Sequence, residues 1–333
     1  MSRAVARIHQ VIATLTPGVG ETNDALALQA QFGGPSLSLL AVAELPSDPG
    51  LRSVCTTLEH LERNASPDDP VLLHTGLPIG VPALSPAMLA RLKGSRELIG
   101  RVHRSAGWVE LPEWVQRGIA TSMQVAASHP TSVVVAVAGP LLPLDGYESL
   151  SGEGQHTPMV LCHEPIAADD GVADALITTH LLRSHRLAGV AFTHIGAAYD
   201  QNRLDALVRI GGLLRLHRSW LGAPAHDAVL GAYGGASAVL CLTEGDGFPD
   251  AAVQAMTAGI PVVGYATPVN VEVIGEAGIL IERQDRFVLV EAIAALIEDA
   301  ALAHCFSTKG RERAKLFQPQ VAASLVHRFI GAR

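Results

Sequence analysis

The sequence predicts an α/β protein whose two domains each carry a parallel sheet. Apolar runs bounded by Gly, Pro or Asp recur along the chain, and helical stretches separate them, which is the pattern of βαβ units. The 333 residues, 48% of them hydrophobic, are enough for two domains of roughly 100–200 residues each. The stretch 149–154 is rich in Ser and Gly, so we place the domain boundary after residue 150.

Four strands are predicted in the first domain. The first is the apolar run Ala6–Leu15, and Pro17–Gly20 then turns the chain into a helix that begins near Thr22. Polar side chains from Glu21 to Asp24 can accept hydrogen bonds from the free N–H groups of that helix start. The other strands are predicted at Ser36–Val42, Val71–His74 and Ser132–Ala138.

The second domain repeats the alternation. Its strands are predicted at Pro158–Cys162, Leu187–Thr193, Ala238–Leu242, Pro261–Val263 and Gly278–Ile281. Helices are predicted at Asp174–Arg186, Asn202–Leu214, Ala225–Tyr233, Asp250–Ala258 and Phe287–Ile297. A short amphipathic helix at Pro319–Ile330 follows, and we expect residues 311–333 to cross back to the first domain.

Composition disfavours several classes of protein. A net charge of −8 argues against a nucleic-acid partner, because binding to a phosphate backbone relies on clustered cations. The four cysteines are far apart and lack CxxC spacing, so we expect buried thiols and neither a zinc site nor a disulfide framework. No segment has the pattern of a signal peptide, and the apolar runs are far shorter than the ~20 residues that span a bilayer. We therefore expect a cytoplasmic protein with no transmembrane segment.

The most informative motif is Thr243–Tyr265, which reads TEGDGFPDAAVQAMTAGIPVVGY. Through it, Ala225–Ile281 resembles the donor-nucleotide region of retaining glycosyltransferases of family four, which have the two-domain GT-B fold. Members of that family typically read SEHEGFCVPLLEAMHFGVPVVAY, and no gap is needed to align the two. The similarity continues through Glu272 and the turn Gly275–Gly278, which resembles the family's PE…GGAG stretch.

The start of the chain resembles one branch of the same family. Ile8–Val11 with Gly18, Gly20 and Asn23–Ala27 is similar to IHQVLPTLSYGDAIGNDALAL, and Val71–His74 followed by Ile79 and Gly80 is similar to VLIYHYSIGSP. The resemblance implies two Rossmann-like domains that face a central cleft. Residues 1–150 would form the acceptor-side domain, and residues 151–310 the nucleotide-sugar domain.

The family motif holds two carboxylates eight positions apart, and these positions are Asp246 and Gln254 here. In the family, the first lies near the donor sugar and the second accepts hydrogen bonds from ribose hydroxyls. Gln254 keeps an acceptor oxygen but not the charge, and charge-assisted bonds are roughly twice as strong as neutral ones. The resemblance also places Gly247 and Phe248 in the donor site. The plainer alternative is that Asp246 and Gln254 only cap and decorate a helix.

Further site residues are expected near the start of the chain. His74 ends a predicted strand, where open α/β sheets bind ligands, and the family keeps a histidine near that place to contact the donor sugar. The loop Gly18–Gly20 would let backbone N–H groups approach a phosphate. Each feature also has a purely structural interpretation: His74 can be a packed core histidine, and the glycines can serve only to form a turn. By the resemblance, His74 and Asp246 are the candidate catalytic residues.

The chain departs from the family where an arginine and a lysine usually neutralise the diphosphate. Leu161–Gly171 reads LCHEPIAADDG, so neither cation is present and His163, if protonated, is the local substitute. The loss of one such contact costs ~100-fold or more in rate. Residues 118–182 and 219–282 contain no lysine or arginine at all.

Two charged groups are assigned to solvated surfaces. Glu164 with Asp169 and Asp170 is a turn cluster, from which we expect neither a metal site nor a bound cofactor. The basic run Arg91, Lys93, Arg96, Arg101 and Arg104 is assigned to a helical region without one clean basic face.

The sequence leaves two functions open. One is a metal-independent, hexosyltransferase-type enzyme that transfers a sugar from a nucleotide-sugar donor to an unknown acceptor with retention. The other is a non-catalytic relative that serves as a binding or scaffold subunit for a protein partner, which the missing cations favour.

Overall fold

The computed structural model describes residues 7–13, 15, 20–35, 38–76, 84–92, 97–150, 157–167, 171–282 and 285–331. The chain divides into two compact units. The first comprises Met1–Pro143 with Pro319–Arg333, and the second comprises Leu144–Gln318. The sequence predicts the divisions at residues 150 and 310.

The first unit is built on a parallel sheet. In the described residues its strands are β1 (His9–Ile12), β2 (Leu40–Val42), β3 (Thr56–Thr57), β4 (Val71–Thr75), β5 (Leu98–Val102), β6 (Arg117–Ala120) and β7 (Val134–Val137). Helices α1 (Gly20–Gln31), α2 (Pro49–Val54), α3 (Leu58–Asn64), α4 (Pro86–Leu92), α5 (Gly107–Glu110) and α6 (Met123–Ala127) connect them. The strand order is β3-β2-β1-β4-β5-β6-β7, so the direction of winding changes between β1 and β4.

The C-terminal helix Pro319–Gly331 packs on this first unit. Its apolar face places Val326 and Ile330 in one buried cluster with Leu72 of β4 and Ile99 of β5. A parallel sheet is stable only when both faces are covered, which explains why the last helix of the chain is amphipathic.

The predicted helical region over the basic run is wrong at Arg101. This residue lies in β5 and its side chain is fully buried. Its guanidinium donates to both carboxylate oxygens of Asp24, at 2.9 and 3.2 Å, and to the carbonyl oxygens of Ala138 and Gly139. A buried arginine needs such a set of acceptors, and they come from distant parts of the sequence. Arg91 pairs with Glu62 on the surface, while Lys93 and Arg96 lie outside the described residues.

Asp24→Asn is expected to lower the free energy of unfolding by ~3–5 kcal/mol, because Arg101 would stay buried without its counter-charge. Urea denaturation measures this change. Glu62→Gln, which removes the carboxylate of the exposed Arg91 pair, is the matched control and should change stability little. Equal effects of the two substitutions would contradict the buried pair.

The second unit also has one parallel sheet in its described residues. Its strands are β8 (Met159–His163), β9 (Ala191–Ile195), β10 (Arg218–Trp220), β11 (Ala238–Cys241), β12 (Val262–Tyr265) and β13 (Ile279–Ile281). Its helices are α7 (Val172–His185), α8 (Gln201–Leu213), α9 (His226–Gly234), α10 (Asp250–Ala258), α11 (Pro268–Val273), α12 (Arg286–Glu298) and α13 (Ala300–Ala314). The C-terminal helix Pro319–Gly331, which belongs to the first unit, is α14. The strand order is β10-β9-β8-β11-β12-β13.

Most predicted elements of this unit agree with the structure to within a few residues, and α10 has the predicted bounds. The prediction lacked β10, α11 and α13. Strand β10 is a short edge strand of mixed polarity, so it has no apolar run to reveal it. Among the described residues, no helix combines the length and apolarity that crossing a membrane would require.

Candidate functional site

The winding of the second sheet changes direction between β8 and β11. In open α/β sheets, ligands bind at such a switch point, beyond the carboxyl ends of the strands. His163 is the last residue of β8, and the motif loop with Asp246, Gly247 and Phe248 follows β11. Gln254 lies in α10, the helix that this loop enters. The site residues predicted in the second unit therefore all belong to the strands, loop and helix at the switch point of its sheet.

Tyr233 connects two of these residues. Its hydroxyl is 2.9 Å from Nδ1 of His163 and 3.1 Å from Oε1 of Gln254, and the carbonyl oxygen of Ala251 lies 3.4 Å away. Tyr233 is completely buried, and Gln254 is nearly so. The ring of Tyr147, from the segment that precedes β8, packs edge-to-face on Tyr233 at 5.0 Å. A buried hydrogen-bond network thus joins β8, α9 and α10 at the switch point.

Burial keeps His163 in its neutral form. Burial lowers the pKa of His163 to about 4, and the neighbouring His194 acts in the same direction against a hydrogen bond with Gln254. Burial also raises the pKa of Tyr233 well above its usual value. Near neutral pH, His163 is therefore uncharged and does not replace the cations that the family uses.

The motif loop packs against the last residues of the second unit. Asp246 and Gly247 are half-buried, and the ring of Phe248 packs edge-to-face on Phe317 at 5.7 Å. The guanidinium of Arg313 lies 5.7 Å from the centre of the Phe317 ring. Phe248 therefore anchors the loop, and its ring has a packing role in addition to any contact with a ligand.

Arg286 is a cation at this end of the sheet, at the start of α12. Its guanidinium donates to Oδ1 of Asp174, in the first turn of α7. The hydroxyl of Tyr265, which ends β12, donates to the other oxygen of Asp174 at 2.8 Å. The charge of Arg286 is thus already paired.

The first-unit site residues have a different environment. His74 is the second-to-last residue of β4, and it is 1% exposed. Its Nε2 lies 2.9 Å from Oε1 of Gln10, and its Nδ1 lies 3.0 Å from Nε2 of His103. Since both ring nitrogens have protein partners, His74 has a structural role in this arrangement. Gly20 begins α1, and Gly18 lies outside the described residues.

His74, His103 and Asp24 bring potential metal-ligand atoms within 4.8 Å of one another. Asp24, however, already accepts hydrogen bonds from Arg101 and from the backbone N–H of Leu141. A cation placed there would compete with the buried guanidinium. The geometry fits a hydrogen-bonded core better than an ion site.

Sequence reasoning missed Tyr233 and His103 as network members. Tyr233 ends a predicted helix, where an aromatic residue equally fits core packing. Its partners His163 and Gln254 lie 70 and 21 positions away. Periodicity reports only which face a residue occupies, so nothing local in the sequence indicates these bonds.

Acidification is expected to destabilise the protein between pH 6.5 and pH 4. Burial lowers the pKa of His74 to about 4, so in this window the unfolded chain binds a proton that the folded chain does not. Stability should be constant above this window and decline as the pH falls through it. Urea denaturation across the range measures the slope, which His74→Asn should reduce. An identical slope in the variant would contradict a neutral, buried His74.

Residues 188–313, within the second unit, match the family model described as glycosyl transferases group 1. This range includes Tyr233, the motif loop and Gln254, whereas His163 precedes it. Among curated protein sequences, the chain has no match.

Solved structures resemble the chain over nearly its full length. HepE from Anabaena in complex with UDP-glucose has a TM-score of 0.78 at 13% identity, with 98% of this chain and 99% of that chain covered. The trehalose-6-phosphate synthase OtsA has a TM-score of 0.75 at 9% identity, with coverage of 98% and 100%. Sucrose-phosphate synthase from Thermosynechococcus elongatus has a TM-score of 0.69 at 15% identity, with 98% of both chains covered. At these identities the likeness establishes the fold, and it confirms the predicted GT-B class.

Proposed function

Because residues 188–313 carry the domain of glycosyl transferases group 1, we propose that this protein binds a nucleotide-sugar and transfers its sugar to an acceptor. The proposed reaction is of hexosyltransferase type, retains configuration and needs no metal. The observation that carries the proposal is the position of Gln254 and His163 at the switch point of the second sheet. The solved relatives in complex with UDP-glucose or UDP lend the donor class further support.

In this proposal, Gln254 binds the ribose through its amide. Asp246, in the loop that leads into α10, lies near the donor sugar, and Gly247 and Phe248 shape that loop. The catalytic role of His74 requires its ring to exchange a protein hydrogen bond for one with the sugar, since both nitrogens are paired. Leaving-group stabilisation is the weak part of this arrangement, because His163 is neutral near pH 7.

The second candidate function is a non-catalytic glycosyltransferase relative that acts as a binding or scaffold subunit. Two observations favour this function: His163 is neutral, and the guanidinium of Arg286 is paired with Asp174. Among the described residues of the strands and helices at the switch point of the second sheet, no unpaired cation is therefore left to stabilise a diphosphate leaving group. This function keeps the fold and needs a protein partner in place of turnover.

Isothermal titration with UDP, GDP and their sugars tests the donor site. Wild-type protein should bind at least one of them, and Gln254→Ala should weaken that binding roughly 3- to 10-fold, as expected for one lost hydrogen bond. Gln201→Ala is the matched control, since it removes an exposed glutamine of the same unit that bonds only with Asp205 in α8. Folded protein that binds none of these ligands would overturn the donor proposal.

Release of nucleoside diphosphate from the nucleotide-sugar that binds then separates the two functions. Turnover that persists in excess EDTA is the expected result for a metal-independent transferase. Tight donor binding without release in the presence of an acceptor panel would favour the scaffold function, and loss of turnover with EDTA would contradict metal independence.

A further inference from the structure

The hydrogen bonds of the buried network fix which groups His163 and Gln254 present to a ligand. The Tyr233 hydroxyl has one proton, and two of its neighbours, Oε1 of Gln254 and the carbonyl of Ala251, are acceptors only. The hydroxyl must therefore donate to that side and accept from Nδ1–H of His163. The Gln254 side chain is also hydrogen-bonded to His163. With Nδ1 protonated, the Nε2 lone pair of His163 is an acceptor and the NH₂ of Gln254 is a donor.

The helix starts at the switch point carry their own carboxylates. Helix α10 begins with Asp250, and α7 has Asp174 in its first turn, where the carboxylate is paired with Arg286. A carboxylate in the first turn offsets the positive end of a helix dipole, which is the feature that attracts phosphate elsewhere. The start of α10 is therefore a poor anion site, and at the start of α7 the one described cation, Arg286, is engaged with Asp174.

The loops that follow the strands add negative charge. No lysine or arginine occurs in the segments that follow β8, β9, β10, β11 or β12, whereas Glu164 and Glu244 lie in two of them. Burial raises the pKa of the thiol of Cys241, the last residue of β11, and the negative charge of Glu164 acts in the same direction. A phosphate at this place would meet carboxylates and no compensating cation from these segments.

The hydroxyl of Thr243 is a further polar group at the switch point of the second sheet. The hydroxyl oxygen of Thr243, in the loop that follows β11, is buried without a hydrogen bond in the described structure. An unpaired buried hydroxyl costs about 1–3 kcal/mol, and a ligand hydroxyl would satisfy it without bringing in charge.

We propose that this site recognises the neutral, hydroxyl-bearing parts of its ligand, a nucleoside or sugar, through Nε2 of His163 and the amide of Gln254. The diphosphate contributes nothing to binding. The inference rests on the proposed nucleotide-sugar site and specifies its ligand chemistry. Tyr233 is a positioning residue, because it fixes the orientation of both contacting groups.

The test compares uridine, UMP and UDP by isothermal titration at 50 and 500 mM NaCl. The dissociation constants should agree within about threefold. Added salt should not weaken the binding of UDP, since the loops that follow β8 to β12 supply no cation whose attraction to phosphate would be screened. Glu164→Gln should tighten the binding of UDP roughly threefold at low salt and leave uridine unchanged. The matched control is Glu312→Gln, which removes one exposed carboxylate of α13 in the same unit.

The orientation of His163 has a direct spectroscopic readout. Nitrogen-15 NMR should show the Nδ1–H tautomer in the wild type, with the signal assigned by its loss in His163→Gln. Tyr233→Phe should abolish the single tautomer and weaken uridine binding about tenfold, with folding verified by thermal denaturation. An Nε2–H tautomer in the wild type would overturn the assignment of Nε2 as the acceptor, even if Tyr233→Phe does not fold.

The titration distinguishes the failure of this inference from the failure of the proposed function. UDP that binds more than tenfold tighter than uridine, and weakens with salt, would overturn the inference and retain an ordinary donor site. Silence of all three ligands, together with silence across the wider panel of nucleotide-sugars, would overturn both.

Discussion

The hydrogen bonds of the Tyr233 hydroxyl determine the character of the second unit's site. This one buried group connects the end of β8 to α9 and α10, and it orients His163 and Gln254 at the same time. A buried hydroxyl with unsatisfied neighbours is costly, so the three groups are held in one arrangement. The polarity of this arrangement then decides what a ligand meets at the switch point.

Each unit has a buried histidine beside the switch point of its sheet, and the surroundings of the two histidines differ in charge. Each places a histidine at or next to the carboxyl end of a strand beside its switch point, and burial keeps each one neutral. In the first unit, a full ion pair between Arg101 and Asp24 lies next to His74 and stabilises the core. In the second unit the corresponding network has no charge. The first arrangement is that of a packed core, while in our proposal the second offers a ring nitrogen and an amide to a ligand.

The sequence predicts the fold well because its signals are local. The alternation of apolar runs and helical stretches predicts β1, β2, β4 and β7 of the first sheet and five of the six strands of the second, and the motif gives α10 with its observed bounds. The prediction lacked β3, β5 and β6 of the first sheet and β10 of the second. The misassigned stretch around Arg101 shows the limit of such patterns. A single arginine in an apolar run suggests a solvated charge, and only its partner Asp24, 77 positions away, makes burial possible.

The charge state of the site was equally beyond the sequence. His163 stands where a cation is expected, and its sequence neighbours do not reveal that burial and the nearby His194 keep it neutral. The absence of lysine and arginine from residues 219–282, by contrast, is visible without a structure. The sequence therefore indicates a site that lacks positive charge, and our proposal assigns recognition there to hydrogen-bonding groups.

Crystal structures of the protein with uridine and with UDP-glucose test the central claim most directly. The account predicts ribose or sugar hydroxyls within hydrogen-bond distance of Nε2 of His163 and the amide nitrogen of Gln254, in the same pose with and without the diphosphate. Phosphate oxygens bound at these two groups, or a ligand bound away from the switch point of the second sheet, would contradict it.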